Sequence, residues 1–151
     1  MSVPLEIRRL RGGDQALLAA MNTMFAAAFA EPQTYATPPD AAWSRRVLDG
    51  EHVIALAALH DGVVLGGLIA YELDKLESAR REVYLYDLAV AEAHRRRGVA
   101  THLIDTLRTI ARERGAWVVF VQADPGDAPA IALYSKLGVR EDVLHFDLPL
   151  R

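Results

Sequence analysis

The spacing of hydrophobic positions changes several times along the chain, and each spacing predicts a different element. Leu5 to Leu10 alternates apolar and charged side chains, which is typical of a half-exposed first strand. Apolar residues then recur at helical spacing from Leu17 to Phe29, after Asp14, which can cap a helix. Three prolines make residues 31–39 irregular, and Asp40 can cap a short helix after them.

Two long apolar runs follow. Val53 to Leu59 and Val63 to Leu73 are separated by the turn at 60–62, so they predict a β-hairpin. Gly66 and Gly67 inside the second run predict a bulge or a close approach of another backbone.

The next segment reads as a strand, a basic turn and a helix. Val83 to Val90 is apolar except for Asp87, which fits a largely buried strand. Helical spacing resumes from Val99 to Ile110. Between them lies Arg95 to Gly98, three arginines and a glycine. A helix start carries unpaired N–H groups and partial positive charge, so this turn predicts a pyrophosphate site, with a solvated basic turn as the alternative.

The C-terminal third contains a strand, an acidic loop, a helix and a final alternating segment. Trp117 to Val121 is strongly β-prone and predicts a strand, and Ala128 to Leu137 predicts a helix that ends at Gly138. Val143 to Leu148 alternates again and is expected to close the sheet.

Composition narrows the class of protein. At 151 residues, with 52% hydrophobic and 25% charged positions, residues 1–151 are expected to form a single domain. The net charge of −3 argues against nucleic acid as a partner. No signal peptide or membrane span is evident, so we expect a cytoplasmic protein without a membrane partner. There is no cysteine, and the histidines show no metal-ligand spacing, so no metal site is predicted.

Two motifs carry a resemblance to a known family. Arg95 to Ala100 (RRRGVA) resembles the acetyl-CoA-binding motif of the GNAT acyltransferase superfamily, and Ala132 to Val139 (ALYSKLGV) resembles its "LYxKLGF" segment. The order of predicted elements is similar to the GNAT fold over nearly the full chain. The resemblance implies an α/β fold with a central, mixed, mostly antiparallel sheet flanked by helices. Related folds often pair, so a homodimer is an expectation of the same kind.

A narrower resemblance extends over longer segments. YDLAVAEAHRRRGVA, VQADPGDAPAIALYSKLGVRED and the closing HFDL resemble the aminoglycoside 3-N-acetyltransferases of the gentamicin-acetylating type I group. This resemblance implies acetyl-CoA as cosubstrate, an aminoglycoside as acceptor, transfer to the 3-amine of its 2-deoxystreptamine ring, and antibiotic resistance as the outcome.

Transfer to an amine needs a group that accepts its proton. Asp87 is the best candidate because a carboxylate in an apolar strand is costly unless it is paired or faces a polar cleft. Glu82, at the start of the same strand, is the second choice. A hydrogen-bonded stabiliser of a strand bulge is the structural alternative for Asp87.

The cofactor side combines backbone and side-chain groups. Backbone N–H groups near Leu88 to Val90 are expected to serve the oxyanion and the pantetheine arm where the strand leaves its ladder. By resemblance, Tyr134 lies near the departing sulfur and is the general acid, the alternative being a core tyrosine. The full set of predicted cofactor-binding residues is Leu88, Ala89, Val90, Arg95, Arg96, Arg97, Gly98, Val99, Ala100 and Tyr134.

Acidic residues suggest the acceptor side. Asp124 and Asp127 follow the strand expected to flank the central one, and Glu141 and Asp142 lie further on. Such charges would attract a polyamine sugar together with Asp87, although Asp124 to Asp127 is also a good turn and helix cap. Tyr35 lies in the proline-rich segment, which is a candidate wall of the cleft.

Two other functions stay open. One is a GNAT enzyme that acts on a protein lysine, an N-terminus or another small amine. The other is a CoA-binding module without catalysis.

Overall fold

The computed structural model describes residues 4–151 and divides into two compact units, one ending at Val121 and the other running from Gln122 to Arg151. The first unit contains β1 (Glu6–Arg9), α1 (Gln15–Ala28), α2 (Ala41–Leu48), β2 (Val53–His60), β3 (Val63–Asp74), β4 (Arg81–Val90), a 3₁₀ turn (Glu92–His94), α3 (Val99–Glu113) and β5 (Ala116–Val121). The second contains α4 (Ala128–Leu137). Within the described residues, no helix is long and apolar enough to cross a membrane.

The strands form one sheet in the order β1-β2-β3-β4-β5. The first four pair antiparallel, and β5 pairs parallel to β4. The parallel pairing requires a crossover, which α3 provides. The predicted hairpin and the predicted mixed, mostly antiparallel sheet are therefore confirmed.

The two adjacent glycines of β3 let helices approach both faces of the sheet. A Cβ on Gly67 would lie 2.5 Å from the sulfur of Met21 in α1, and a Cβ on Gly66 would lie 3.0 Å from Val99 in α3. Successive strand residues point to opposite faces, so α1 and α3 pack on opposite sides of the sheet. The approaching atoms are mainly side chains rather than another backbone, and the predicted bulge lies beside Gly66, where the pairing of β2 with β3 shifts register.

Of two aspartates that were predicted to cap helices, one does so and the other does not. Asp40 accepts a hydrogen bond from the N–H of Trp43 at 2.8 Å and caps α2 as predicted. Asp14 makes no capping bond to α1, because its carboxylate accepts instead from Arg8 and from the N–H of Arg11. That prediction was wrong in its detail, although the helix begins where it was expected.

The second unit corrects the prediction for the C-terminus. Asp127 accepts from the N–H of Ala130 at 3.2 Å and caps α4, as predicted. Val143 to Leu148 forms no strand, and Leu144 and Phe146 are exposed. Alternation supplies an apolar face, but a strand also needs a partner strand for its backbone hydrogen bonds, and none of the described strands pairs with this segment.

Candidate active site

A β-bulge in β4 lies at the centre of the site. Ile69 of β3 is paired with Asp87, whereas the next residue, Ala70, is paired with Leu85, so Tyr86 is the extra residue. A bulge bends its strand and changes the direction of the side chains beside it. It therefore re-aims Tyr86 and Asp87 relative to a regular ladder.

Beyond the bulge, β4 has a strand neighbour on one side only. The pairing with β5 ends at Leu85 and Val121, whereas Leu88 to Val90 continue to pair with β3. We expected this part of β4 to leave its ladder. It stays paired with β3 but extends past the end of β5. Alternate backbone N–H groups of this part of β4 therefore point to the side where β5 no longer pairs with it.

Asp87 lies in the wall of a cavity between the sheet, α1 and α2. The cavity has a volume of about 180 Å³. Tyr35, from the proline-rich segment, lies in its wall. Other side chains that line it are Asn22, Phe25, Trp43, Ile69 and Tyr71.

The Asp87 carboxylate has no cationic partner among the described residues. Burial raises its pKa above the ordinary aspartate value, and the negative charge of Glu31 raises it further. A carboxylate that is partly desolvated and unpaired is a stronger base than an exposed one. These are the properties needed to accept a proton from an ammonium group.

Two tyrosines, Tyr35 and Tyr71, line the same cavity as this carboxylate. Burial and the charge of Asp87 raise the pKa of Tyr35 to about 12 and also raise that of Tyr71. Both phenols therefore keep their protons at neutral pH and can donate hydrogen bonds. Sequence reasoning missed Tyr71 and Glu31, because only the strand register and the end of α1 bring them near Asp87.

The arginine turn forms the start of α3. Arg96 and Gly98 both have left-handed backbone conformations, with φ of 64° and 80°. No side chain caps α3, and a Cβ on Gly98 would meet nothing within 4 Å. An open helix start among exposed arginines fits a phosphate-bearing group, so the residues present suit the predicted cosubstrate.

The members of this turn have different local roles. Arg95 donates from its guanidinium Nε to the carbonyl of Val90 at 3.1 Å, which ties the turn to the end of β4. Arg96 and Arg97 are exposed. Val99 is buried against Gly66, so its side chain belongs to the core, and Ala100 is half-buried in the first turn of α3.

Glu82 occupies a different environment from Asp87. Its carboxylate accepts from the guanidinium of Arg80 at 2.7 Å. It lies five residues before Asp87, about 16 Å along the strand. Because Glu82 is paired with Arg80 and lies far along the strand from the cavity that Asp87 lines, Asp87 is favoured as the base.

The second unit holds the remaining predicted residues. Burial, followed by the charge of Asp127, raises the pKa of Tyr134 to about 12, so its hydroxyl is protonated at neutral pH. Asp124 is exposed in the loop before α4, and Asp127 is engaged as the cap. Asp142 accepts from Arg140 at 2.8 Å, and Glu141 is exposed beside it.

Comparison with known proteins now fixes the family. The family model described as Acetyltransferase (GNAT) family matches residues 18–139. The chain belongs to the GNAT acetyltransferase family. This membership accounts for the mixed five-stranded sheet and its flanking helices.

Two solved GNAT structures are similar over nearly the whole chain. One is the aminoglycoside acetyltransferase HMB0005 from an uncultured soil metagenomic sample, 52% identical, covering 99% of this chain and 100% of that one, with a TM-score of 0.97. The other is the aminoglycoside acetyltransferase meta-AAC0020, also from an uncultured soil metagenomic sample, solved in complex with sisomicin. It is 30% identical, covers 97% of both chains and has a TM-score of 0.91.

Curated relatives match over shorter regions. An N-alpha-acetyltransferase of Saccharolobus solfataricus is 30% identical over 70 residues, which are 46% of this chain and 42% of that protein. The chain spans well under half the length of the curated relatives that it matches.

Proposed function

We propose that this protein is an acetyl-CoA-dependent aminoglycoside N-acetyltransferase that acts on the 3-amine of the 2-deoxystreptamine ring. The observation that carries the proposal is the unpaired Asp87 carboxylate, which lies in a cavity wall beside Tyr35 and Tyr71. A partly buried negative charge without a cationic partner suits an acceptor that brings its own positive charges.

Asp87 accepts a proton from the acceptor ammonium group, and the loss of this proton makes the amine nucleophilic. Aminoglycoside amines are mostly protonated at neutral pH, so the carboxylate first attracts the ammonium group and then takes its proton, directly or through water. The amine attacks the acetyl carbonyl directly, the new C–N bond forms and the C–S bond breaks, and the nitrogen gives its second proton to water as it becomes an amide. No covalent intermediate with the protein is needed.

The donor side uses the arginine turn and the open end of β4. Acetyl-CoA supplies an activated acetyl thioester. Arg96, Arg97 and the N–H groups at the start of α3 would hold its pyrophosphate, and the backbone from Leu88 to Val90 would hold the pantetheine arm and the carbonyl oxygen. Tyr134, protonated at neutral pH, would donate a proton to the departing thiolate.

The identity of the acceptor is supported by the relatives. A chain 52% identical over nearly its full length is an aminoglycoside acetyltransferase, and a chain 30% identical was solved with sisomicin. The choice of the 3-amine rests on the resemblance of the sequence to the gentamicin-acetylating group. Asp124, Asp127, Glu141 and Asp142 are proposed as further contacts for its ammonium groups, and resistance is the proposed outcome.

The test is thiol release from acetyl-CoA by the purified protein with gentamicin, sisomicin, kanamycin and a lysine peptide. NMR then locates the acetyl group on the product. We expect acetylation of gentamicin at the 3-amine. Transfer to another amine of the antibiotic would contradict the regiochemistry alone, and thiol release only with the peptide would contradict the proposed acceptor.

A second candidate is acetylation of a protein N-terminus. The similarity to an archaeal N-alpha-acetyltransferase favours it. A peptide amine also needs a base, so Asp87 would keep its role. The same panel separates the two, because an N-terminal acetyltransferase would acetylate the α-amine of a peptide and leave the antibiotics unchanged.

A further inference from the structure

Four aromatic rings form a continuous row across β3, β4 and β5. Tyr71 meets Tyr86 edge to face with 5.7 Å between ring centroids, and Tyr86 meets Tyr84 at 5.3 Å. Tyr84 stacks on Phe120 at 4.6 Å. We call Tyr71, Tyr86, Tyr84 and Phe120 the aromatic row.

The row begins at the proposed catalytic cavity. Tyr71, its first member, lines the same cavity as Asp87. Tyr86, its second member, is the extra residue of the bulge and immediately precedes Asp87 in the chain. The bulge that presents the carboxylate therefore also presents an aromatic ring beside it.

Tyr86 differs from two other exposed aromatic residues. Its side chain is 60% exposed, compared with 57% for Trp43 and 67% for Trp117. Trp43 lies under the guanidinium of Arg46 at 4.8 Å, and Trp117 lies under that of Arg80 at 4.1 Å. One face of each indole is thus partly covered by a cation of the protein, whereas the Tyr86 ring contacts the rings of Tyr71 and Tyr84.

The local charge indicates what would cover this ring. Asp87 lies near enough to Tyr71 and Tyr84 for its charge to act on their hydroxyls, and Glu31 adds negative charge near Asp87. A ligand that fits must therefore carry positive charge and also present an apolar face to a phenol ring. An amino sugar has both features, since the C–H groups of its ring form a flat apolar face and its ammonium groups are attracted to carboxylates and aromatic faces.

We propose that Tyr86 is a specificity-determining residue of the acceptor site, and that its ring packs against an amino sugar ring of the substrate while a neighbouring amine reaches Asp87. The inference rests on the proposed function, and it deepens that function by assigning recognition of the sugar to the residue that precedes the base. A flexible peptide lacks a rigid ring face and gains less from this contact.

The experiment compares steady-state kinetics of Tyr86→Ala, Tyr86→Phe and Trp117→Ala, with gentamicin varied and with acetyl-CoA varied. We expect Tyr86→Ala to raise the KM for gentamicin roughly tenfold, which is the scale of one aromatic contact with a cation. The KM for acetyl-CoA should change by less than about twofold, because the ring is not part of the proposed donor site. Tyr86→Phe keeps the ring, so its KM for gentamicin should stay near the wild-type value. Trp117→Ala removes an exposed ring of β5 that lies outside the aromatic row, so it should also behave like the wild type.

Several results would overturn the inference. An unchanged gentamicin KM in Tyr86→Ala would remove the contact, and a loss in Tyr86→Phe equal to that in Tyr86→Ala would assign the effect to the hydroxyl. A change of oligomeric state in Tyr86→Ala, measured by sedimentation, would make the row an interface between copies. Should Tyr86→Ala fold poorly, Tyr86→Leu tests the same loss of an aromatic face with an apolar side chain in place.

The inference and the proposed function fail separately. A wild-type protein that acetylates gentamicin while Tyr86→Ala keeps its KM contradicts only the inference. A wild-type protein that acetylates no aminoglycoside contradicts the proposed function and with it the inference.

Discussion

Two carboxylates on neighbouring strands of this sheet have opposite surroundings. Glu72 in β3 is fully buried and receives two hydrogen bonds from the guanidinium of Arg114, and His52 Nδ1 lies 3.3 Å from it. Asp87 in β4 is only partly buried and has no cationic partner in the described part of the chain. The charge of Glu72 is compensated within the chain, whereas the charge of Asp87 is left for a cationic ligand to compensate.

The comparison of Glu72 with Asp87 distinguishes a carboxylate that is paired within the fold from one that is left for a ligand. Burying a charge costs free energy, which Glu72 recovers from its own chain through Arg114, His52 and Arg81. Asp87 has no such partner in the described part of the chain, and under the proposed function a cationic acceptor would supply one. Substitutions at the two positions should therefore affect different measurements.

The largest expected effect is on turnover by Asp87→Asn. The amide cannot accept the proton of the amine, so kcat should fall by about 10²- to 10⁴-fold. Acetyl-CoA binding, measured by calorimetry, should stay near the wild-type value. Asp61→Asn is the matched control, because Asp61 lies exposed in the β2–β3 turn, 89% of its side chain in solvent. Near wild-type turnover of Asp87→Asn would exclude Asp87 as the base.

The next effect is on stability by Glu72→Gln. The change leaves Arg114 without its buried partner, and we expect the free energy of unfolding to fall by about 3–5 kcal/mol in urea titrations. Glu51→Gln removes a second, exposed partner of Arg114 at 3.4 Å and should cost under about 1 kcal/mol. Equal losses in the two variants would show that burial does not distinguish these ion pairs.

A smaller effect concerns the pH dependence of the reaction. A base must be ionised, and burial and Glu31 raise the pKa of Asp87, so the acidic limb of kcat/KM should lie above the ordinary aspartate range near pH 4. Glu31→Gln removes the second cause and should move this limb to lower pH. A limb that does not move would mean that another group controls it.

The smallest effect is a gain in stability by Asp87→Asn near neutral pH. A raised pKa in the folded state means that folding favours the protonated carboxyl, so the wild type loses this contribution as pH rises through the folded pKa. The asparagine variant does not, and its melting temperature should exceed that of the wild type at pH 7. The difference should shrink as pH falls through that pKa. A lower melting temperature at both pH values would give Asp87 a structural role.

Much of the fold could be predicted from local patterns. Each helix and strand of the first unit follows from the spacing of its apolar residues, and the arginine turn follows from its glycine and its place between β4 and α3. The predicted closing strand at Val143 to Leu148 was wrong, because alternation identifies a face and says nothing about the partner strand. Capping by Asp14 was wrong for a related reason, since Arg8 and the backbone of Arg11 compete for its carboxylate.

The candidate site divides in the same way. Asp87 stands out in the sequence because a lone acid interrupts an apolar strand, and the arginine turn stands out by composition. Tyr71 and Tyr86 are ordinary strand residues in the sequence. Only the tertiary structure shows that Tyr86 is the extra residue of a bulge and that its ring lies between those of Tyr71 and Tyr84.

The sequence by itself thus determined the elements, the basic turn and the acid in the central strand, because these depend on residues that are close together in the chain. Tertiary structure decided which charges are paired. Glu72, Glu82 and Asp87 are all strand carboxylates, and the sequence does not show which of them are paired. In the structure Arg114 binds Glu72 and Arg80 binds Glu82, whereas no cation of the described chain binds Asp87. Whether a carboxylate stabilises the fold or is available for a substrate depends on contacts between distant segments, and these exist only once the sheet has formed its register.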